Sequence, residues 1–250
     1  AETVTRLLAG SETQLKGVQD QFLKERYRFQ RLRLMFYDER FAEAEQYYSA
    51  NIKSFTTESS VKYRFISAAA GAYYHDKKQG EANYLSSLVF GHFAPLKRSA
   101  YLSFRPQEDA DWKASLALAK SEREKAVLWQ LLGLRADELG AIEKLYAMAP
   151  TSNLLPLLLV REVNKTERDW SENEFNRKYN AKDVRSEAAI VGKKRLALIK
   201  RIADEKKAWK PYLWLLSVGH LYALMSDTKS ALAYLDQAAQ LVDKDQDAAG

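Results

Sequence analysis

Apolar residues recur every three or four positions along most of the chain, which is the period of an α-helix with one buried face. The clearest stretch runs from Tyr212 to Lys244 and has the pattern of two antiparallel helices joined by a turn at Ser226-Asp227. Gly219 and Ala238 supply small side chains where two helices would have to approach closely. The pattern therefore predicts a helical hairpin in this stretch.

The residues before Tyr212 show the same helical period less regularly. Ser11 and Gln14 are spaced as a capping box, and one long helix is expected from Leu15 to about Tyr37. A second hairpin is expected from Val61 to Val89, with a polar turn that begins at His75. Two neighbouring apolar stripes run along the long helix: Leu23, Tyr27 and Leu34 form one, and Phe22, Phe29 and Phe36 form the other.

The chain divides into three segments by its pattern. Residues 1–164 are expected to form irregular helical repeats, and residues 183–250 a long helix followed by the hairpin at 212–244. Between them, residues 165–182 are polar and have no helical period, which indicates a linker, either a long loop or an irregular helix. Counting the periodic segments gives about eleven helices and an all-α fold.

With Tyr212 as the first position, Gly219, Tyr222, Ala231 and Ala238 fall at positions 8, 11, 20 and 27. This order of small and large residues resembles a tetratricopeptide (TPR-like) repeat. The resemblance implies a degenerate right-handed superhelix of stacked hairpins, whose concave groove is lined by the first helix of each hairpin. The segment beginning EKAVLWQLLGL is also similar to helical-repeat proteins of uncertain function from Bacteroidota envelopes.

Earlier hairpins match the repeat less well. Ala82 at position 20 places Ala70 at position 8 and Tyr73 at position 11. Ala44 at position 20 places Leu32 at position 8 and Met35 at position 11, but Arg28 and Arg31 then occupy positions that are normally apolar.

The resemblance also implies which side chains line the groove. Basic and aromatic side chains there would suit an acidic or aromatic-rich peptide. The alternative is that the same residues are solvated or belong to the core. The candidate partner-binding residues are Arg33, Phe36, Arg64, Tyr74, His75 and His220.

The charge balance, 39 basic against 33 acidic residues, leaves a net +6 that is spread along the chain. Stacked helical hairpins with this charge also permit nucleic-acid binding, although dedicated nucleic-acid binders concentrate their charge on one face. The basic run from Lys193 to Lys207 is interrupted by Asp204 and Glu205. Such mixed charge is typical of the solvent-exposed face of an amphipathic helix. Nucleic acid is therefore the less favoured partner.

The chain contains no cysteine, which excludes disulfides, thiolate metal sites and cysteine nucleophiles. The three histidines lack the spacing of a zinc site, and no G-x-S-x-G motif is present. We therefore expect a non-enzymatic scaffold for a protein or peptide, with no cofactor and no metal. A nucleic-acid-binding repeat protein and a helical accessory domain of a cell-envelope complex are the alternatives.

No apolar run reaches the ~18 residues of a membrane span, so no transmembrane segment is expected. The absence of cysteine and the Bacteroidota similarity favour the periplasm or cell envelope, with the cytoplasm as the alternative. A signal peptide is expected to be either absent or already removed.

Overall fold

The computed structural model describes the backbone of residues 2–179 and 185–242, and the side chains of residues 2–171 and 192–242. In these ranges the regular elements are thirteen α-helices and two short 3₁₀ segments, Ile52–Ser54 and Ala94–Leu96, with no strand. The expected all-α class is confirmed, with thirteen helices instead of about eleven. The helices are α1 (Glu2–Gly17), α2 (Gln21–Tyr37), α3 (Phe41–Asn51), α4 (Ser60–His75), α5 (Gln79–His92), α6 (Lys97–Ser103), α7 (Asp109–Leu118), α8 (Glu122–Arg135), α9 (Glu138–Met148), α10 (Leu155–Tyr179), α11 (Arg185–Glu205), α12 (Pro211–Leu224) and α13 (Thr228–Val242).

The chain forms two compact units, Ala1–Leu131 and Leu132–Gly250. In the first unit α2 packs against both α3 and α4, α3 packs against α4, and α4 packs against α5. The Ser59 hydroxyl lies 3.4 Å from a Glu25 carboxylate oxygen near the start of α4 and α2. Near the end of both helices, the Phe36 ring lies against Gly71. These two contacts show that α2 and α4 run side by side in the same direction.

The expected continuous helix from Leu15 is wrong, because the chain breaks between α1 and α2. Asp20 has an extended backbone, and its carboxylate accepts a hydrogen bond from the Leu23 N–H at 2.9 Å, which starts α2 as an N-cap. The expected capping box at Ser11 is also wrong. Ser11 lies inside α1, and its hydroxyl donates to the Leu8 carbonyl at 2.8 Å.

Arg31 is tolerated at a normally apolar position because residues of α1 pair with its guanidinium group. Arg31 is 8% exposed, and its guanidinium donates to the Leu8 carbonyl at 2.5 Å and to the Ser11 hydroxyl at 2.8 Å. It also pairs with the Glu12 carboxylate at 2.9 Å. A buried cation is tolerated when it is paired and hydrogen-bonded, as here.

The second unit contains the C-terminal hairpin, and its two helices and its turn are confirmed as α12 and α13. Gly219 lies so close to α13 that a Cβ atom would be 2.8 Å from Leu235 Cγ and 3.2 Å from the Ala231 carbonyl oxygen. Ala238 is buried as expected. The expected end of the hairpin at Lys244 lies outside the described residues.

The close approach at Gly219 gives a stability prediction. Both Gly219→Ala and Gly192→Ala gain the helix propensity of alanine, about 1 kcal/mol, but a Cβ at Gly192 meets nothing within 4 Å among the described residues. We expect Gly219→Ala to be less stable than Gly192→Ala by about 1–3 kcal/mol, because only the first overpacks a helix contact. Urea unfolding of the two variants measures the difference, and equal stabilities would contradict it.

Helix α10 continues through residues 165–179, where the sequence indicates a long loop or an irregular helix. The described side chains of this part, those of residues 165–171, contact neighbouring helices through polar groups. The Asp169 carboxylate pairs with Arg195 of α11 at 2.6 Å, and the Glu167 carboxylate lies 3.9 Å from His220 of α12. A helix that packs through polar groups lacks the apolar period by which helices are recognised. Residues 180–182 of the expected linker lie outside the described residues.

Candidate functional site

One side of α2 carries a repeated pair, a phenylalanine followed four positions later by an arginine. The guanidinium carbon of Arg26 lies 3.2 Å from the centre of the Phe22 ring. Seven residues further on, the guanidinium carbon of Arg33 lies 5.5 Å from the ring centres of both Phe29 and Tyr37. Residues four apart stand one turn apart on the same side of a helix, so rings and cations alternate along α2.

We call this row of alternating rings and cations, Phe22, Arg26, Phe29, Arg33 and Tyr37, the ladder. Both of its ends are exposed to solvent: Phe22 is 58% exposed and Tyr37 is 69% exposed. Neither Arg26 nor Arg33 forms an ion pair with any carboxylate among the described residues. Arg26 donates only to the Phe22 carbonyl, and Arg33 only to the side chain of Gln30. The ladder therefore presents exposed aromatic surface together with uncompensated positive charge.

Helix α4 extends this surface. Arg64, Gly71 and His75 fall on one stripe of α4, seven and four residues apart, and Gly71 contacts Phe36 of α2. Arg64 and His75 are exposed, and no described carboxylate pairs with Arg64. We call the combined surface the basic-aromatic face; it consists of Phe22, Arg26, Phe29, Arg33 and Tyr37 of α2 with Arg64, Tyr74 and His75 of α4.

An aromatic cluster formed by Phe36, Phe41, Tyr74 and His75 lies at one end of the face. The His75 ring stacks on Phe41 with the ring centres 4.7 Å apart and the planes 9° apart. The rings of Phe36 and Tyr74 meet the edge of His75, each at 5.7 Å between centres. Because the Phe36 ring also meets Tyr37 at 5.6 Å between centres, the cluster continues into the exposed surface at this end of the face.

The structure brings most of the sequence-predicted partner-binding residues together. Phe36, Tyr74 and His75 form the cluster, and Arg33 lies one turn before Phe36 on α2. Arg64 lies further toward the start of α4, on the same exposed stripe. His220 belongs to the second unit, where its Nε2 atom lies 3.9 Å from the Glu167 carboxylate.

Four residues of the face are absent from the sequence-based candidates: Phe22, Arg26, Phe29 and Tyr37. Phe22 and Leu23, which begin the two apolar stripes, are 58% and 44% exposed. In the α2 turns that follow, Leu32 and Met35 supply the buried side chains instead. The signal that marks the face in the sequence is the F-x-x-x-R spacing, which begins at Phe22 and recurs seven residues later.

A second cluster of charges lies in the second unit, between α10 and α11. Arg195 Nε lies 2.6 Å from a carboxylate oxygen of Glu162, and another guanidinium nitrogen of Arg195 lies 2.6 Å from the Asp169 carboxylate. Glu162 is 1% exposed; burial raises its pKa, and the Arg195 charge opposes that rise. The opposite charges pair across α10 and α11, so the cluster joins these two helices.

The described residues contain no group of three or more histidine or acidic side chains placed to hold a metal ion. None of the described helices has the length and apolar character needed to cross a bilayer. Comparison of the chain with protein-family models, with curated proteins and with solved structures gives no match.

Proposed function

We propose that this chain is a non-enzymatic scaffold that binds an acidic segment of another protein on its basic-aromatic face. The observation that carries the proposal is the ladder along α2, in which Arg26 and Arg33 lie over the exposed rings of Phe22 and Tyr37 and have no described carboxylate partner. Exposed apolar surface of this kind is typical of interaction sites. Unpaired arginine at its centre selects for a negatively charged partner.

The position of the arginines over rings favours carboxylates in particular. A ring face accepts no hydrogen bond from the guanidinium edge, and two N–H donors of that edge match the two oxygens of a carboxylate. The ring also restrains the arginine side chain before the partner arrives. Less conformational entropy is then lost on binding, which favours affinity.

We further propose that the hairpins are TPR-like and that the face lies on the concave side of their stack. Two features support this: α2 and α4 run in parallel, as first helices of successive repeats would, and Ala44, Ala82 and Ala231 are buried at the small-residue position of each hairpin. In a stack of this kind the first helices line the groove. The absence of cysteine supports a role in the periplasm or cell envelope, as an accessory domain of the Bacteroidota type.

The decisive experiment reverses the charge of the face. We expect the triple variant Arg26→Glu, Arg33→Glu, Arg64→Glu to bind a labelled, glutamate-rich peptide with interspersed leucines at least about tenfold more weakly than the unmodified chain. The reason is that each exchange replaces the hydrogen-bond donors of an arginine by a carboxylate, which repels the carboxylates of the peptide. Fluorescence anisotropy at fixed ionic strength measures the affinity.

The matched control, Arg98→Glu, Lys113→Glu, Arg123→Glu, changes the net charge equally at exposed positions of the same unit. It should bind within about twofold of the unmodified chain, because only long-range screened charge is altered. Equal losses in both variants would show that the face is not the site. Tighter binding of a single-stranded oligonucleotide than of the peptide would favour the nucleic-acid alternative and overturn the proposal.

A further inference from the structure

We infer that the partner segment is an amphipathic α-helix that lies along α2 and carries two carboxylates seven residues apart. This inference rests on the proposed function, and it specifies the form of the partner. Its basis is the spacing of the ladder, which decides between the regular conformations that a bound segment can adopt.

The rungs of the ladder are separated by four, three, four and four residues, from Phe22 through Arg26, Phe29 and Arg33 to Tyr37. At the helical rise of 1.5 Å per residue, the steps measure about 6, 4.5, 6 and 6 Å, which is about 22.5 Å in all. The two arginines are two turns apart, or about 10.5 Å. Ring and cation alternate at each step.

A helix laid along α2 repeats one face with the same steps, because its own neighbours on one side are three and four residues apart. Such a helix can place an apolar residue on Phe22, a carboxylate on Arg26, an apolar residue on Phe29 and a carboxylate on Arg33. No step is strained, because the two helices share one rise. The match continues to Tyr37.

An extended strand fails this comparison. Its same-face residues recur every second position, about 6.7 Å apart, so four steps cover about 27 Å and the last rung is missed by about 4 Å. Residues three apart would span the ~10 Å between Arg26 and Arg33, but they point to opposite sides of a strand. A polyproline helix repeats one face only about every 9 Å, so it has no side chain for Phe29 between the two arginines.

Helix α4 adds a third cation beside the ladder. Phe36 contacts Gly71, and seven residues earlier on each parallel helix Phe29 stands level with Arg64. Arg64 therefore lies at a height between Arg26 and Arg33. A partner helix seated on α2 would meet Arg64 with the edge that faces α4, so a carboxylate on that edge completes the charge complementarity.

The test uses synthetic peptides of about twenty residues, long enough to form a helix on binding. The first carries two glutamates seven residues apart with leucine between them and at both ends of the pattern, and alanine and glutamine elsewhere. The second has the same composition, but one glutamate is moved by two positions, which turns it by about 200° around the helix. The third has prolines in place of central alanines and cannot form a helix.

We expect the first peptide to bind at least about tenfold more tightly than the other two, and to gain helical circular dichroism when it binds. A version with lysine in place of both glutamates should bind the Arg26→Glu, Arg33→Glu variant in preference to the unmodified chain. If the proline peptide binds as tightly as the first peptide, and its binding is still lost in the Arg26→Glu, Arg33→Glu variant, the partner is not a helix. The proposed function would then stand without the helical partner. If no peptide responds to arginine reversal, both proposals fail.

Discussion

Replacing Arg195 with methionine is expected to destabilise the second unit by about 3–5 kcal/mol at pH 7. The exchange removes the cation that lies 2.6 Å from Glu162, a carboxylate with 1% exposure. The other cation that favours the charged form of Glu162 is Lys165, which pairs with Glu138 at 3.2 Å. Breaking a buried ion pair from one side costs far more than the pair itself contributes, because the remaining charge has lost its hydration. Urea unfolding, with hydrogen exchange of α10 and α11 as a local probe, measures the effect.

Two variants test this explanation. Adding Glu162→Leu to Arg195→Met should recover most of the lost stability, since well-packed apolar residues can replace a buried pair at little cost. The matched control on the same helix is Arg201→Met, because Arg201 forms an exposed pair with Glu143 at 3.4 Å. That variant should lose at most about 1 kcal/mol. Similar losses in the Arg195 and Arg201 variants would contradict the role of burial.

The pH dependence supplies a further check. Burial raises the pKa of Glu162, and in Arg195→Met the opposing arginine charge is gone, so the pKa rises further. The folded state then holds more protons than the unfolded state between the ordinary glutamate pKa, about 4.3, and the raised value. Stability therefore falls as pH rises through this window, and the penalty of Arg195→Met should be smaller at pH 5 than at pH 7.

A helical period in the sequence predicts those helices that pack through apolar side chains and misses those that pack through polar ones. The hairpin of α12 and α13 could be predicted because apolar side chains and one glycine make its contacts. The continuation of α10 could not, since Asp169 and Glu167 pack through charge. The break before α2 was missed because Asp20 caps the helix alone, without the second residue of a capping box.

The candidate site was predictable to the extent that it follows the repeat. Arg33 and His75 are among the sequence-based candidates because first-helix positions of a TPR-like pattern line a groove. Phe22 is not among them: it lies on an apolar stripe, and a phenylalanine stripe at helical spacing is usually buried. Whether a neighbouring helix covers such a stripe depends on packing between elements, and a single sequence does not encode that contact in a readable form. The arginine four residues after each ring distinguishes this stripe, because Arg26 and Arg33 stay at the surface with it.

The other large effect is expected at Arg31, which holds α1 on α2. Only one side chain of α1, Leu8, is buried, so apolar contacts contribute little to its docking. Arg31 supplies two hydrogen bonds and an ion pair to α1, the latter at 2.9 Å to Glu12. Hydrogen bonds to charged groups contribute about 1.5–3 kcal/mol each. After the loss of this set, α1 is left with the contacts of Leu8 and the hydrogen bond from Arg40 to the Thr5 hydroxyl at 2.7 Å. We expect Arg31→Met to release α1 from α2.

Hydrogen exchange resolved along the chain measures the release. Amides of α1 should lose protection by about one hundredfold or more, which corresponds to about 2.7 kcal/mol. Amides of α4 and α5 should keep theirs, because α4 packs on α2 and α5 packs on α4 without α1. The matched control is Lys16→Met, which removes an exposed cation 3.9 Å from the same Glu12 and should leave α1 docked. Protection lost equally throughout the first unit would show instead that Arg31 supports the whole core, because its apolar stem packs among the buried residues of α2 and not only against α1.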